Sequence, residues 1–158
     1  MVQLVQKYGA TEASQQVVVD KTDSGAPLLT VDGRSVYCSI THKSGCIAAA
    51  YSSTNKIGID LEDLSTNKDY QRIRDHYKDG FLAGSALTKK DFFHHWTLAE
   101  AFAKASGASL LNVLESPLHH QKKSATYFQI HPFLLCAYQE PSVENNEIAL
   151  HQLDSDNQ

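Results

Sequence analysis

Asp60-Leu61-Glu62 is the first place in the chain where residue type and spacing could do chemistry. In an extended segment, residues two apart share a face, so the two carboxylates would stand side by side at roughly 7 Å. Like charges held that close are unfavourable unless water solvates them or a cation neutralises them. Carboxylate oxygens are hard ligands, and Mg²⁺ or Mn²⁺ suits them. Taken alone, the pair reads as an ordinary solvated strand end, and Asp63 next door supports that. Glu100 and Lys104, four apart on a helix, read alone as an ion pair worth roughly a few tenths of a kcal/mol. His42 sits in Ser39-Ile40-Thr41-His42-Lys43-Ser44-Gly45, where hydroxyls, an imidazole, a lysine and a glycine turn could cradle a phosphate. By itself it is a surface-loop histidine. His94-His95 and His119-His120 invite a zinc reading, but helix neighbours point about 100° apart. No HxxxH spacing is present, so these four histidines read as surface or structural groups.

The elements that must position these groups are visible in the apolar pattern. Ile57 to Glu62 alternates: Ile57, Ile59 and Leu61 point one way, and Gly58, Asp60 and Glu62 the other. A long helix follows later. Thr88 with Asp91 makes an approximate capping box, and Gly107 is a natural C-cap. Phe92, Trp96, Ala99 and Ala103 form its apolar stripe, with Phe102 at the margin and Trp96 in the core. Glu100 and Lys104 share an edge of that stripe with Phe93.

Upstream, Val17 to Val19, Leu28 to Val31, Val36 to Ile40 and Cys46 to Tyr51 read as strands. Asp20 to Pro27 and Thr41 to Gly45 are the intervening loops, and Asp32-Gly33 is a hairpin turn of the type I′ kind. Tyr70 to Tyr77 reads as a helix, followed by a glycine-containing stretch from Lys78 to Leu87. Thr126 to His131 and Phe133 to Tyr138 read as strands broken at Pro132. Glu147 to Leu153 is expected as a last strand, and Asp154 to Gln158 as a polar tail. The mixture predicts an α+β fold, with mainly antiparallel sheet packed against the long helix.

Composition bounds the function. The chain's 158 residues make about one domain, with no internal repeat or low-complexity linker, so residues 1–158 are read as a single unit with a weakly patterned segment over 1–20. A net charge of −4 argues against a nucleic-acid binder held by phosphate neutralisation. No apolar run approaches the ~20 residues that span a bilayer, so no membrane role is expected. The first residues lack the basic and apolar regions of a signal peptide. Cys38, Cys46 and Cys136 are an odd set without CxxC spacing, which fits a reducing cytoplasm better than a disulfide scaffold.

The order of the segments adds what no single motif carries. SITHKSGCIAAA, GIDLED and FFHHWTLAEAFAKASG, in that order, resemble the signature of the 4′-phosphopantetheinyl transferases of the surfactin-synthetase type. That pattern is a Ser-x-Ser-His strand end, a Gly-Ile-Asp-x-Glu strand and a Trp-Thr-x-Lys-Glu-Ala-x-x-Lys helix. The segment DSGAP, from Asp23 to Pro27, resembles the Gly-Lys-Pro loop that precedes the histidine. The resemblance runs from about residue 20 to residue 110, and more faintly to Tyr138.

It implies a transferase-like fold and a Mg²⁺-dependent reaction, with Mn²⁺ as an alternative ion. Phosphopantetheine moves from coenzyme A to a serine hydroxyl of an apo acyl or peptidyl carrier protein, releasing 3′,5′-ADP. Asp60, Glu62 and Glu100 match the residues that hold the metal against the coenzyme A pyrophosphate. Lys104 matches the lysine at the reacting phosphates, and His42 and Thr41 match coenzyme A phosphate contacts. Gly25 and Pro27 match the loop along the adenine. A base, Glu100 or a metal-bound water, takes the serine proton. Ala99 and Ala26 depart from the pattern by replacing lysines, and a lysine restored at Ala99 is expected to improve coenzyme A binding. Most of the first of the family's two similar halves is also missing, and the sheet is rich in apolar residues on both faces. A homo-oligomer, most simply a two-fold dimer, is therefore expected. The competing expectation is a degenerate relative that holds coenzyme A or a carrier protein without efficient transfer.

Overall fold

The computed structural model describes residues 16–22, 25–43, 45–67, 69–84 and 88–141. The described chain runs β1 (Val17–Lys21), β2 (Pro27–Val31), β3 (Arg34–Lys43), β4 (Cys46–Ser52) and β5 (Ile57–Asp63). Then come α1 (Tyr70–His76), α2 (Lys89–Ser106), α3 (Leu110–Leu114), a 3₁₀ turn (Gln121–Ser124), β6 (Ala125–Ile130) and β7 (Phe133–Gln139). The fold is α+β with antiparallel pairing throughout. Its strands lie in two sheets, ordered β1-β2-β3-β4 and β5-β7-β6. No helix among the described residues is long and apolar enough to cross a membrane.

The β2–β3 hairpin turns on Asp32 and Gly33, both at positive φ, 50° and 74°. Two conformations of that sign match the right-handed twist of the strands, and glycine accepts one without strain. The helix α2 begins at Thr88, whose hydroxyl oxygen accepts from Asp91 N, and ends at Gly107 in the left-handed region. Both caps stand where the sequence places them.

Two expectations need correction. Thr41 to Gly45 is not a loop: β3 continues through Lys43, because Thr41, His42 and Lys43 pair with Ala48, Ile47 and Cys46. The loop expected from Asp20 to Pro27 shrinks for the same reason, since Asp20 and Lys21 pair with Leu28 and Pro27. Polar residues there occupy paired backbone, and hydrogen bonding, not apolar pattern, sets the strand ends. The antiparallel strands divide into two sheets, and the five-residue α3 and the 3₁₀ turn, too short to show a period, were not anticipated. The expected strand from Glu147 to Leu153, the tail beyond it and the first fifteen residues lie outside the described residues.

β5 is the middle of the structure and is buried along both faces, with only Asp63 partly exposed. Its Ile59 and Leu61 meet Leu135 and Ala137 of β7 and, across the sheet gap, Cys46, Ala48 and Ala50 of β4. Its other face meets α2. Contact there is so close that a Cβ on Gly58 would overlap the carbonyl oxygen of Ala101. Ala101 and Ala105 are fully or nearly fully buried at that seam. The opposite side of α2 completes the larger core through Phe92, Trp96 and Ala99, against Phe81, Leu114 and Leu118. One helix is thereby fixed in register against one strand, and the chemistry-bearing residues of both lie along the seam.

Candidate metal centre

The alternation of β5 sends Asp60 and Glu62 toward α2, where they are 3% and 2% exposed. The solvated strand end therefore does not exist: both carboxylates are inside. From α2, the half-buried Glu100 joins them, and one carboxylate oxygen from each of the three residues lies within 4.8 Å of the others. Three acids gathered in low dielectric repel one another unless each finds compensation.

Part of that compensation is present. Asp60 Oδ1 accepts from Lys104 Nζ at 2.9 Å and from Thr41 Oγ1 at 3.4 Å. Lys104 Nζ also donates to Ile59 O at 2.9 Å, which fixes the ammonium against the strand backbone. Glu62 Oε1 accepts from Trp96 Nε1 at 3.0 Å, and Glu62 Oε2 stands 2.8 Å from Lys43 Nζ. Asp60 Oδ2 is buried and accepts no hydrogen bond among the described residues, and Glu62 Oε2 meets Lys43 as an ion pair outside hydrogen-bond geometry. Burial first, and the Glu100 charge second, push the Asp60 carboxyl up to about 7, against the pull of Lys104. Burial disfavours the Lys43 ammonium, but the close contact and charge of Glu62, with Asp60 and Glu100 behind it, leave its pKa raised.

The structure thus gathers Asp60, Glu62, Glu100, Lys104 and Thr41. It does not gather His42, Gly25 and Pro27 with them. Thr41 and Lys43 face β5, so strand alternation turns His42 to the opposite, exposed face beside Ile47. Gly25 lies in the β1–β2 turn at φ 82°, donating to Thr22 O. Pro27 opens β2, and its carbonyl faces the Cys38 thiol at 3.4 Å. Ala99 is fully buried in the core, so a lysine there would not reach a phosphate from the helix surface. Ala26 is exposed in its turn.

Two contacts of the acids were not foreseen. Lys43, named only in a possible phosphate cradle, is two residues beyond Thr41 on the same strand face, a relation hidden once the segment was read as a loop. Trp96 is one helical turn before Glu100, a spacing that places its indole N–H beside the acids as well as its ring in the core. Of the histidine pairs, His119-His120 is exposed and His94-His95 makes other contacts. The His94 ring packs on Tyr127 at 4.7 Å, and His94 O accepts from Tyr127 Oη at 3.0 Å. His95 Nδ1 lies 2.7 Å from Asp91 O. Burial holds both imidazoles below their ordinary pKa.

The donor set fits a hard divalent cation. It offers only carboxylate oxygens, converging from two elements, and the buried Asp60 Oδ2 and Glu62 Oε2 accept no hydrogen bond there. No family model and no curated protein matches the chain.

Proposed function

We propose that the protein transfers 4′-phosphopantetheine from coenzyme A to a serine of an apo acyl or peptidyl carrier protein in the cytoplasm, as the resemblance of its ordered motifs implies. The observation that carries this reading is the convergence of Asp60, Glu62 and Glu100 beside Lys104, on the strand and helix that bear the matching motifs. Asp60, Glu62 and Glu100 would hold Mg²⁺ or Mn²⁺, which supplies charge stabilisation at the pyrophosphate of coenzyme A. Lys104 places a second positive charge at the same edge, pre-oriented by its bonds to Asp60 and Ile59 O. Glu100, the most accessible of the acids, takes the proton of the serine hydroxyl as its oxygen bonds to phosphorus. The bond from that phosphorus to 3′,5′-ADP breaks, and 3′,5′-ADP leaves with the electron pair.

Incubation with coenzyme A, Mg²⁺ and an apo carrier protein, followed by intact-mass measurement of the carrier, tests this. A mass gain of one phosphopantetheine is expected, and an unchanged carrier refutes transfer. A second reading, binding of coenzyme A without transfer, is favoured by one observation: Lys43 and Lys104 are both engaged with the acids, and Ala26 and Ala99 supply no cation in their place. Calorimetric binding of coenzyme A with no mass gain on the carrier would select it.

The same reading includes a second copy of the chain. On the outer face of β3 and β4, Ile47 is 77% exposed and Tyr51 stands bare nearby. A second copy would cover them. Sedimentation at micromolar concentration should give a dimer; a monomer of 17.5 kDa that still transfers phosphopantetheine refutes it.

A further inference from the structure

We infer that Lys43 is a resident counter-ion of the acidic centre, which an entering divalent cation displaces and which then serves as a positioning residue for the anionic ligand. The inference rests on the metal-centre reading above and deepens it.

Of the two Glu62 oxygens, Oε1 takes the indole N–H of Trp96, a group anchored in the core, and Oε2 takes Lys43. Of these two neighbours, a cation using Glu62 meets one that is anchored in the core and one that can swing away. Lys43 is the latter by its setting. It ends β3, next to the hairpin at Gly45, and among the described residues its ammonium has one carboxylate contact, whereas Lys104, equally exposed, has two oxygen partners. Its four-carbon stem can swing outward while the backbone stays paired with Cys46.

Lys104 is set differently. It rides on α2 and is tied to both Asp60 Oδ1 and Ile59 O, so it is placed to stay. Asp60 Oδ2, with its side chain 5% exposed and no donor, marks a place in the cluster that neither lysine compensates. The two ammonium groups thus divide the work: one is structural to the carboxylate cage, and the other is an exchangeable plug. Once released, Lys43 remains tethered within a side-chain length of the centre. There it meets an anion drawn in by the cation, as lysines do at phosphate sites.

This makes two opposite demands on one side chain. Removing its charge should tighten metal binding, because a competitor is gone, and weaken anion binding, because a partner is gone. A merely structural role would move both in the same direction or neither.

The test is titration of the full chain, wild type and Lys43→Gln, with Mn²⁺ followed by calorimetry and by the electron paramagnetic resonance signal of free Mn²⁺. Inorganic pyrophosphate is then titrated at saturating Mn²⁺. Thermal melts confirm that each variant is folded, and Lys43→Arg serves as the conservative control. The expected result is Mn²⁺ binding about three- to tenfold tighter in Lys43→Gln, the scale of one lost charge-assisted contact. Pyrophosphate binding should weaken by a similar factor, with both values restored toward wild type in Lys43→Arg. Mn²⁺ binding equal to or weaker than wild type in a folded Lys43→Gln overturns the counter-ion role and leaves the metal centre standing. Absence of Mn²⁺ binding in both proteins overturns the metal centre, and this inference with it.

Discussion

Replacing Asp60 with asparagine should make the metal-free protein more stable as pH rises, and insensitive to divalent cations. The reasoning starts from burial. Asp60 titrates at about 7 in the fold, against 3.8 as its ordinary value. Between those values the native state holds a proton that the unfolded chain has released. The native state thus binds more protons there, and stability falls as pH rises through the window. Linkage across it, from about pH 5 to about pH 8, amounts to about 2–3 kcal/mol lost. Because Asp60 and Glu100 interact, that loss belongs to the pair. Asparagine has nearly the same shape and never ionises, so the loss should disappear in Asp60→Asn. The attraction of Lys104 for the ionised carboxylate is already contained in that folded value and is not a separate offset. Urea unfolding at both pH values, with a chelator and then with Mg²⁺, reads the effect. Relative to the variant, wild type should lose stability toward high pH and recover it with Mg²⁺, the contribution of His94 and His95 being common to both and cancelling in the difference. A pH-independent difference between the two proteins, or equal Mg²⁺ stabilisation of both, would refute the account.

Trp96→Phe removes the indole donor from a carboxylate that is 2% exposed. It should cost about 1–3 kcal/mol in urea unfolding and weaken Mn²⁺ binding. Gly58→Ala drives a methyl into the Ala101 carbonyl at the seam between β5 and α2, a backbone contact that cannot rotate away. A loss of at least about 2 kcal/mol is expected, and an unchanged melting temperature would show that the seam is looser than described. Ala99→Lys should reduce folded protein instead of improving coenzyme A binding, because Ala99 is fully buried and an ammonium there lacks solvent. Soluble, well-folded Ala99→Lys with a lower KM would reverse that. Acidification below about pH 6.5 should destabilise the protein through His94 and His95, whose burial keeps them neutral while the unfolded chain takes up protons. His95→Gln should therefore show a shallower loss of stability on the acid side than wild type.

What could be read in advance follows from which forces are local. The alternation of β5 and the stripe and caps of α2 are set by neighbours a few residues away, and both elements lie where the pattern puts them. The β2–β3 turn is equally local, since Asp32-Gly33 needs only positive φ. Where pairing decides, the reading fails. Thr41, His42 and Lys43 are polar, and nothing in their own types says that they continue a strand. Ile47 and Ala48 across the hairpin say so.

The same register decides which of these side chains meet the acids. A loop assigns no face to Thr41, His42 or Lys43. With it in a strand, the period of two sends Thr41 and Lys43 inward and His42 outward. The side chains nearest the carboxylates were thus decided by a single backbone register. Trp96 shows the complementary limit. Its burial was legible from the helical stripe, but its N–H partner was not, because Glu62 lies 34 residues upstream on another element. Only the packing of α2 against Gly58 brings the two together. The acids themselves follow the same logic. Asp60 and Glu62 looked solvated because adjacent acids usually are. They are buried because α2 covers their face and supplies Lys104 and Trp96 as compensation. A cluster that a strand alone would leave in water becomes a buried charged cluster once the helix lies over it. The unpartnered Asp60 oxygen is where that compensation stops short.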